Sequence, residues 1–331
     1  MKIGFFELEK WEEDYIKEKL KGNEISFFKG ELDIENYRKA KDLDVIACFI
    51  YSKLNSELLS KLPNVKFVTT MSTGFNHIDI DYSKKKGIKV SNIPYYGGNT
   101  VAEHTFGLIL TLSKNLDDAI SQTKKDNFSL RGLMGFDLKG KTLGVVGTGH
   151  IGLNVIKIAK GFGMEVIAYS IKKDLKLSNK EGFRWVSFEN LLENSDIITF
   201  HVPLTNETRH MINMKNVKKI KRGAFVINTA RGEIIDTDAL VFGIEKIIIG
   251  GAGLDVLEGE EEMKEHKDSL HNDHSKNLKT FHQNHRLLKE KNVVITPHSA
   301  FYTREALERI LDTTIENIKS FSKGKMVNSV H

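Results

Sequence analysis

Residues 140–152 read GKTLGVVGTGHIG, and the order of residue types in this stretch prescribes a strand, a tight turn and a helix. Thr142–Val146 form a short apolar strand. Gly147, Gly149 and Gly152 fit the spacing Gly-x-Gly-x-x-Gly, and Leu153, Ile156, Ala159 and Phe162 recur at helical spacing behind them. Each glycine has its own task. Gly147 permits the turn, Gly149 lets a pyrophosphate approach the backbone, and Gly152 lets the helix pack on the strand, while the helix N-terminus faces the phosphates. A bare match is weak because glycine is common in turns. Here a second strand, Glu165–Tyr169, arrives where a βαβ unit requires it. The stretch reads as a dinucleotide site.

Downstream stand three residues whose chemistry complements such a site. Arg231 lies in INTARGEIID (227–236), Glu260 in GLDVLEGEE (253–261) and His298 in VVITPHSAFYT (293–303), each beside an apolar run. An arginine can grip a small acid's carboxylate and polarise its carbonyl. A histidine can pass a proton, and a carboxylate beside it fixes its tautomer. Taken singly, Arg231 reads equally as a surface partner of Asp236 or Glu233, Glu260 as one charge in an acidic run, and His298 as a structural histidine.

Several motifs together give the chain a family resemblance. STGFNHID (72–79), NIPYYGGNTVAEH (92–104), GTGHIG, HVPLTNETRHMIN (201–213), NTARG, GLDVLEGEE and TPHSAFYT follow one another along nearly the whole chain. In that order they resemble the D-2-hydroxyacid dehydrogenases, closest to the D-lactate dehydrogenase branch. The resemblance implies Arg231, Glu260 and His298 as catalytic residues and Asp255 at the nicotinamide amide. It places His150, Ile151, Val202, Pro203, Thr208, Thr229 and Ala230 along the dinucleotide. It puts the substrate carboxylate on the backbone amides of Thr73 and Gly74 with the Tyr96 hydroxyl, Phe301 against the substrate side chain, and Tyr51 near the cleft. Phe301, Tyr96 and Tyr51 read otherwise as plain core aromatics.

Length and composition agree with a two-domain α/β protein. At 331 residues there is room for two cores. The formal charge of +5 is dispersed among lysines, which gives no nucleic-acid footprint. The lone cysteine, Cys48, sits in an apolar run and reads as a buried core thiol suited to a reducing cytoplasm. Glu7, Glu9, Glu12 and Glu13 follow at once on the start of the chain, so no signal peptide is expected, and no run reaches the ~18 apolar residues of a membrane span.

Strand signals at Lys2–Phe6, Glu24–Phe28, Val45–Tyr51, Val65–Thr70 and Ile88–Ile93 alternate with charged helical stretches. A long helix is expected from an Asn99 cap, and further strands at Ile197–His201, Ala224–Asn228, Gly250–Leu254 and Val293–Ile295. A last helix, Thr303–Ser322, has the spacing to pack back on the first domain. The expected fold is α/β, with two doubly wound parallel-sheet domains and a cleft between them. Residues 1–99 with 299–331 form a flavodoxin-like substrate domain and 100–298 a Rossmann cofactor domain, hinged near 97–100 and 299–302. Pro203 and Pro297 each follow a strand and set the exit of a loop. The segment 261–291 holds five of the twelve histidines, at 266, 271, 274, 282 and 285. No cysteine lies there and the neighbours are charged, so it reads as an exposed insertion or lid rather than a metal site.

The reading is a cytoplasmic, homodimeric, NAD(P)-dependent reductase of 2-oxo acids, with pyruvate and D-lactate as the expected pair. Its partners are a small 2-oxo or 2-hydroxy acid and a second copy of itself, with no nucleic acid, membrane or metal. Rivals are hydroxypyruvate/glyoxylate, phosphoglycerate, formate and branched 2-oxo acid enzymes, and a dinucleotide-sensing binding protein of the same fold. The AFYT segment after His298 favours the lactate branch. NAD is the expected cofactor. Ser170, however, occupies the end of the second strand, where an acidic residue ordinarily repels a 2′-phosphate, which leaves NADP open.

Overall fold

The computed structural model describes residues 1–260 and 278–330. The chain divides into two compact units, Met1–Tyr96 together with the segment from Thr303 onward, and Gly97–Tyr302. Residues 97–99 and 299–302, expected in the first domain, thus belong to the second.

In the first unit β1 (Lys2–Phe6), α1 (Lys10–Lys19), β2 (Glu24–Phe28), β3 (Val45–Cys48), α2 (Ser56–Ser60), β4 (Phe67–Thr70), α3 (Ile80–Lys85) and β5 (Lys89–Ser91) alternate. The five strands are parallel in the order β2-β1-β3-β4-β5. Every residue of β3 and β4 is buried, as a sheet covered on both faces demands. Cys48 lies at the end of β3, fully buried, and that burial pushes its thiol well up. The apolar run continues to Tyr51, but the strand ends at Cys48, because the next residues turn to meet Glu7. The helix Arg304–Ser322 is capped by the Thr303 hydroxyl, which accepts from the Ala306 amide. Phe321 of this helix stacks on Phe67 at 4.6 Å. Buried Asn317 donates to the Thr69 hydroxyl and the Asn92 carbonyl, both at 3.1 Å, so the returning segment is keyed to the first sheet.

The second unit holds α4 (Gly98–Ser113), α5 (Leu116–Thr123), β6 (Thr142–Val146), α6 (His150–Gly161), β7 (Glu165–Tyr169), α7 (Leu175–Glu181), β8 (Arg184–Trp185), α8 (Phe188–Asn194), β9 (Ile197–Phe200), β10 (Ala224–Asn228), α9 (Thr237–Glu245), β11 (Ile249–Leu254), the helix Leu278–Leu287 and β12 (Val293–Ile295). Helix α4 starts at Gly98 with Gly97 as its cap, not at an Asn99 cap. Asn99 lies in the first turn, its amide donating to Glu103 at 3.2 Å. The short strand β8 gives no signal in the sequence, being only two residues long. The seven parallel strands run β12-β11-β10-β9-β6-β7-β8, with apolar clusters on either face. The order reverses between β6 and β9. Open α/β sheets bind ligands outside the carboxyl ends of the strands at such a reversal. Among the described residues no helix is long and apolar enough to cross a membrane.

Two histidines, His77 in a turn after β4 and His201 directly after β9, are neutral by burial. His77 is pushed down to about 4, its Nε2 3.1 Å from the Thr70 hydroxyl, and His201 down to about 3. Unfolded, each imidazole titrates near 6.5, so between that value and the folded one the unfolded chain binds the extra proton. The stability they contribute is complete above pH ~6.5 and is lost as the pH falls through the folded values. His77→Gln should therefore flatten the fall of melting temperature between pH 6.5 and about 4 relative to the wild type. Parallel pH slopes for the two proteins would contradict this role.

Candidate active site

The nucleotide loop is built by backbone proximity. Gly147 has φ +94°, and a Cβ there would lie 2.6 Å from the His201 carbonyl oxygen. A Cβ on Gly152 would stand 2.0 Å from the Gly147 oxygen, so the helix and the strand exit meet with no space between them. A Cβ on Gly149 would meet nothing within 4 Å. The loop is thus closed on its protein side and open at Gly149, the position where a pyrophosphate would approach, and the residues fit a dinucleotide. His150 and Ile151 open α6. Val202 and Pro203 leave β9, and the Thr208 hydroxyl donates to the Pro203 carbonyl at 2.6 Å, which folds that loop back on itself. Thr229 bonds Thr105 of α4 at 3.0 Å.

Ser170 directly follows β7. Asp174, four residues on, offers an acidic substitute in the sequence. In the structure its carboxylate caps α7, accepting from the Lys176 and Leu177 amides at 2.9 and 3.1 Å, and its carbonyl receives the Trp185 indole N–H. Asp174 is committed to the helix. Lys172 and Lys173 between them are exposed.

Asp255, at the exit of β11, is 1% exposed. Its carboxylate accepts from the Thr296 hydroxyl at 2.5 Å and from the Ser299 and Ala300 amides at 2.9 Å each. His104 of α4 stands 3.4 Å from the same oxygen that Thr296 contacts, and 3.0 Å from the Thr296 hydroxyl. Burial alone would lift this carboxyl, but His104, Thr296 and the two amides outweigh it and hold it below the usual carboxylate range. Asp255 therefore ties down both sides of His298. The His298 backbone sits at φ +56°, a left-handed conformation that a non-glycine residue keeps only when its surroundings impose it.

The His298 imidazole meets Glu260 at 2.5 Å through Nδ1, both side chains 24% exposed. Nε2 has no partner among the described residues. Arg231 is the cap of a short turn after β10. The buried Asn228 side chain braces that turn, accepting from the Ala230 amide at 3.0 Å and donating to the Arg231 carbonyl at 2.8 Å. The guanidinium donates to the Ala230 carbonyl at 2.7 Å and forms no ion pair with Asp236 or Glu233. Next to it, a Cβ on Gly232 would lie 2.0 Å from the Leu257 carbonyl carbon and 2.3 Å from the Glu258 nitrogen. The turn bearing Arg231 and the turn bearing Glu260 are thus in backbone contact. Phe301 is half-buried, its ring edge to face with Tyr302 at 5.9 Å.

The remaining expected residues lie in the first unit. The amides of Thr73 and Gly74 follow β4 and have no acceptor among the described residues. The Thr73 hydroxyl donates to Ile93 at 2.7 Å, and Ser72 to the Gly74 carbonyl at 2.6 Å, so the two free donors are held in place. The Tyr96 carbonyl accepts from Arg309 at 2.6 Å. Tyr51 is 51% exposed, and its amide and that of Ser52 donate to the Glu7 carboxylate at 3.0 and 2.9 Å. Burial raises the Glu7 carboxyl despite those bonds. Glu7 looks in the sequence like one charge in an acidic run. His104, Thr296 and Glu7 escape sequence reading, because each acts on another chain segment far away in number, while Asn228 braces its own turn from the end of an apolar strand. Among the described residues no group of three or more His, Cys, Asp or Glu could hold a metal. His266, His271 and His274 lie outside the described residues.

Residues 106–300 match the model of the D-isomer specific 2-hydroxyacid dehydrogenase, NAD binding domain. The chain is 33% identical to a D-lactate dehydrogenase of Escherichia coli, covering 98% of each chain. It is 39% identical to an aromatic 2-oxoacid reductase of Clostridium sporogenes over 87% of this chain and 86% of that one. Among solved structures it resembles a D-lactate dehydrogenase of Aquifex aeolicus, complexed with NAD and lactic acid, at 40% identity and TM-score 0.84, covering 97% of this chain and 96% of that one. The chain belongs to the D-isomer-specific 2-hydroxyacid dehydrogenase family. It is an NAD(P)-dependent oxidoreductase with two parallel-sheet α/β domains.

Asp255→Asn should destabilise the second unit. The new amide would place a donor against Ser299 or Ala300, leaving a buried N–H unpaired at a cost of about 1–3 kcal/mol. A denaturant unfolding curve with an unshifted midpoint would contradict the bracing role of Asp255.

Proposed function

We propose that this chain reduces small 2-oxo acids, pyruvate to D-lactate foremost, with His298 as the acid. The observation that carries the reading is the 2.5 Å contact from His298 Nδ1 to Glu260, which leaves Nε2 for a substrate. A reduced nicotinamide, when bound, supplies the hydride that the keto carbon accepts. His298 hands the Nε2 proton to the emerging alkoxide, and the ring is then reprotonated from solvent; in the oxidative direction it accepts the proton instead. Glu260 holds the ring's orientation. Arg231 grips the carboxylate with its planar fork, and the family resemblance assigns the amides of Thr73 and Gly74 and the Tyr96 hydroxyl to carboxylate binding as well. Phe301 limits the substrate side chain and Tyr51 borders it. Asp255 holds the nicotinamide amide, with His150, Ile151, Val202, Pro203, Thr208, Thr229 and Ala230 along the rest of the dinucleotide.

The relatives' names span lactate and aromatic acids, so side-chain preference is the sharpest part of the proposal. It rests on the AFYT segment around Phe301. The protein is proposed to act in the cytoplasm, where a single buried cysteine raises no demand for oxidation. A homodimer is proposed through the cofactor unit, supported by Phe128, Leu130 and Met134, the last 94% exposed, on the segment after α5.

A panel of 2-oxo acids tests the reading. Pyruvate should be turned over with reduced cofactor, and His298→Gln should cut kcat by about 10²–10⁴-fold while cofactor affinity holds. Arg231→Lys should also fail, because an ammonium cannot make the bidentate contact. Near-wild-type turnover in His298→Gln would remove the catalytic assignment. A phenylpyruvate preference would move the chain to the aromatic branch.

NAD is proposed as the principal cofactor, with weak discrimination against NADP. Ser170 carries no charge to repel a 2′-phosphate, Asp174 is tied to α7, and Lys172 and Lys173 are exposed beside it. Dissociation constants for NADH and NADPH, measured by fluorescence, should lie close together in the wild type and separate in favour of NADH in Ser170→Asp. A strong wild-type preference for NADH, unaltered by the aspartate, would show that Ser170 does not govern the choice.

A further inference from the structure

Two residues before Glu260, a second carboxylate meets a second histidine. Glu258 Oε1 lies 2.7 Å from His210 Nε2. Its Oε2 accepts from the Thr237 hydroxyl at 2.9 Å and from the Thr237 amide, the first of α9, at 3.3 Å. Its carbonyl accepts from the buried Asn284 side chain of the helix Leu278–Leu287 at 2.8 Å. One residue therefore bonds three separate segments. His210 is itself fixed, its amide donating to the Glu233 carbonyl at 2.8 Å and its carbonyl accepting from Asn213 at 2.8 Å. Gly259, at φ +70°, then turns the chain sharply to present Glu260.

These bonds surround the place where the turns of Arg231 and Glu260 touch. Gly232 admits the Leu257–Glu258 peptide against its own α-carbon, a contact with no room for a methyl group. Close approach alone does not hold two loops together, since the backbones gain little dispersion energy from so small a patch. Glu258 supplies what is missing. Thr237 lies six residues after Arg231 on the same stretch of chain, and Glu258 bonds it on one side while Asn284 holds the carbonyl from the other.

We propose that Glu258 is a positioning residue that locks the Glu260 turn to the Arg231 turn, and so fixes the acid–base pair relative to the carboxylate-binding arginine. This rests on the catalytic reading of Arg231, Glu260 and His298. His210 is the outer support of the lock, holding Glu258 without touching the reacting atoms.

The test uses the full chain with three variants, Glu258→Ala, Glu258→Gln and His210→Ala. Amide hydrogen exchange of the peptide spanning 255–260 is measured without cofactor. kcat, KM for pyruvate and the isotope effect with deuterated reduced cofactor are measured well below the melting temperature. In Glu258→Ala, exchange in that peptide should quicken, and kcat should fall about ten- to a hundredfold, as expected for a catalytic group displaced by an ångström or less. The isotope effect should rise while the affinity for NADH holds. Glu258→Gln should recover much of the loss, because its amide oxygen can accept from Thr237 and its nitrogen can stand against the His210 ring as the carboxylate oxygen does. His210→Ala, which keeps the Thr237 bonds, should show a smaller change in the same direction and carries the test if Glu258→Ala does not fold. Wild-type kcat and wild-type exchange in Glu258→Ala, or in His210→Ala where it alone folds, would overturn the proposal. So would a lowered melting temperature with unchanged kcat and isotope effect. A wild type that reduces no 2-oxo acid would instead sink the catalytic reading, and the exchange rates would still decide whether Glu258 locks the turn.

Discussion

Most of the chemistry in the second unit hangs on one buried carboxylate. Asp255 leaves the carboxyl end of β11 and binds a hydroxyl and two amides on the loop that leaves β12. Taking a carboxylate out of water is expensive, and it is tolerated only where donors surround it. Here four donors do so, with His104 reaching across from α4, and the net result is a carboxyl held in its charged form. The loop gains rigidity in return. His298 adopts a backbone conformation that costs on the order of 1–3 kcal/mol, and the anchors on either side of it are what sustain that strain.

The same economy of backbone explains the glycines. Gly147 and Gly152 let a helix N-terminus sit directly over a strand exit, and Gly232 lets two loops meet without an intervening side chain. In each case the nearest atoms are backbone, so a Cβ could not be accommodated by a rotamer change. Parallel strands bring all their carboxyl ends to one edge of the sheet, and the loops after β6, β9, β10, β11 and β12 therefore converge there. Glycine sets how near they come. Carboxylates such as Asp255 and Glu258 then set what holds them.

How much of this was legible in the sequence depends on the range of the interaction. The strand Thr142–Val146, the helix behind it and the strand Glu165–Tyr169 were readable because periodicity and glycine spacing are local properties. So were both open sheets. The closeness of Glu260 to His298 needed the family's motif order, which alone lifts Glu260 out of the acidic run around it. Asn99 was misread as a cap because a polar residue before an apolar run is a good local signal. Gly97 caps instead, since the helix begins at Gly98, three residues before the apolar pattern opens at Val101. The end of β3 was misplaced for a different reason. Apolar character persists to Tyr51, yet Glu7, far off in the chain, captures the Tyr51 and Ser52 amides and ends the strand. Asp174 illustrates the limit most plainly. Its charge and position invited a role at the ribose, while its actual partners are two amides of the helix it caps.

What marks out the candidate residues of each unit physically is the set of groups the fold leaves unpaired. Nearly every buried polar atom in the described residues has a partner, as in native proteins generally. Against that background, among the described residues, the Thr73 and Gly74 amides have no acceptor, His298 Nε2 has no partner, and a Cβ on Gly149 would meet nothing within 4 Å. The Arg231 guanidinium has a neighbouring carbonyl and no carboxylate. In the first unit the unpaired groups are N–H donors; in the second they are a cation and a ring nitrogen. Within each unit, donors and cations already held by their neighbours need little ordering to meet an oxygen-rich anion. A carboxylate is the kind of acceptor that the backbone amides of the first unit and the guanidinium of the second each bind well.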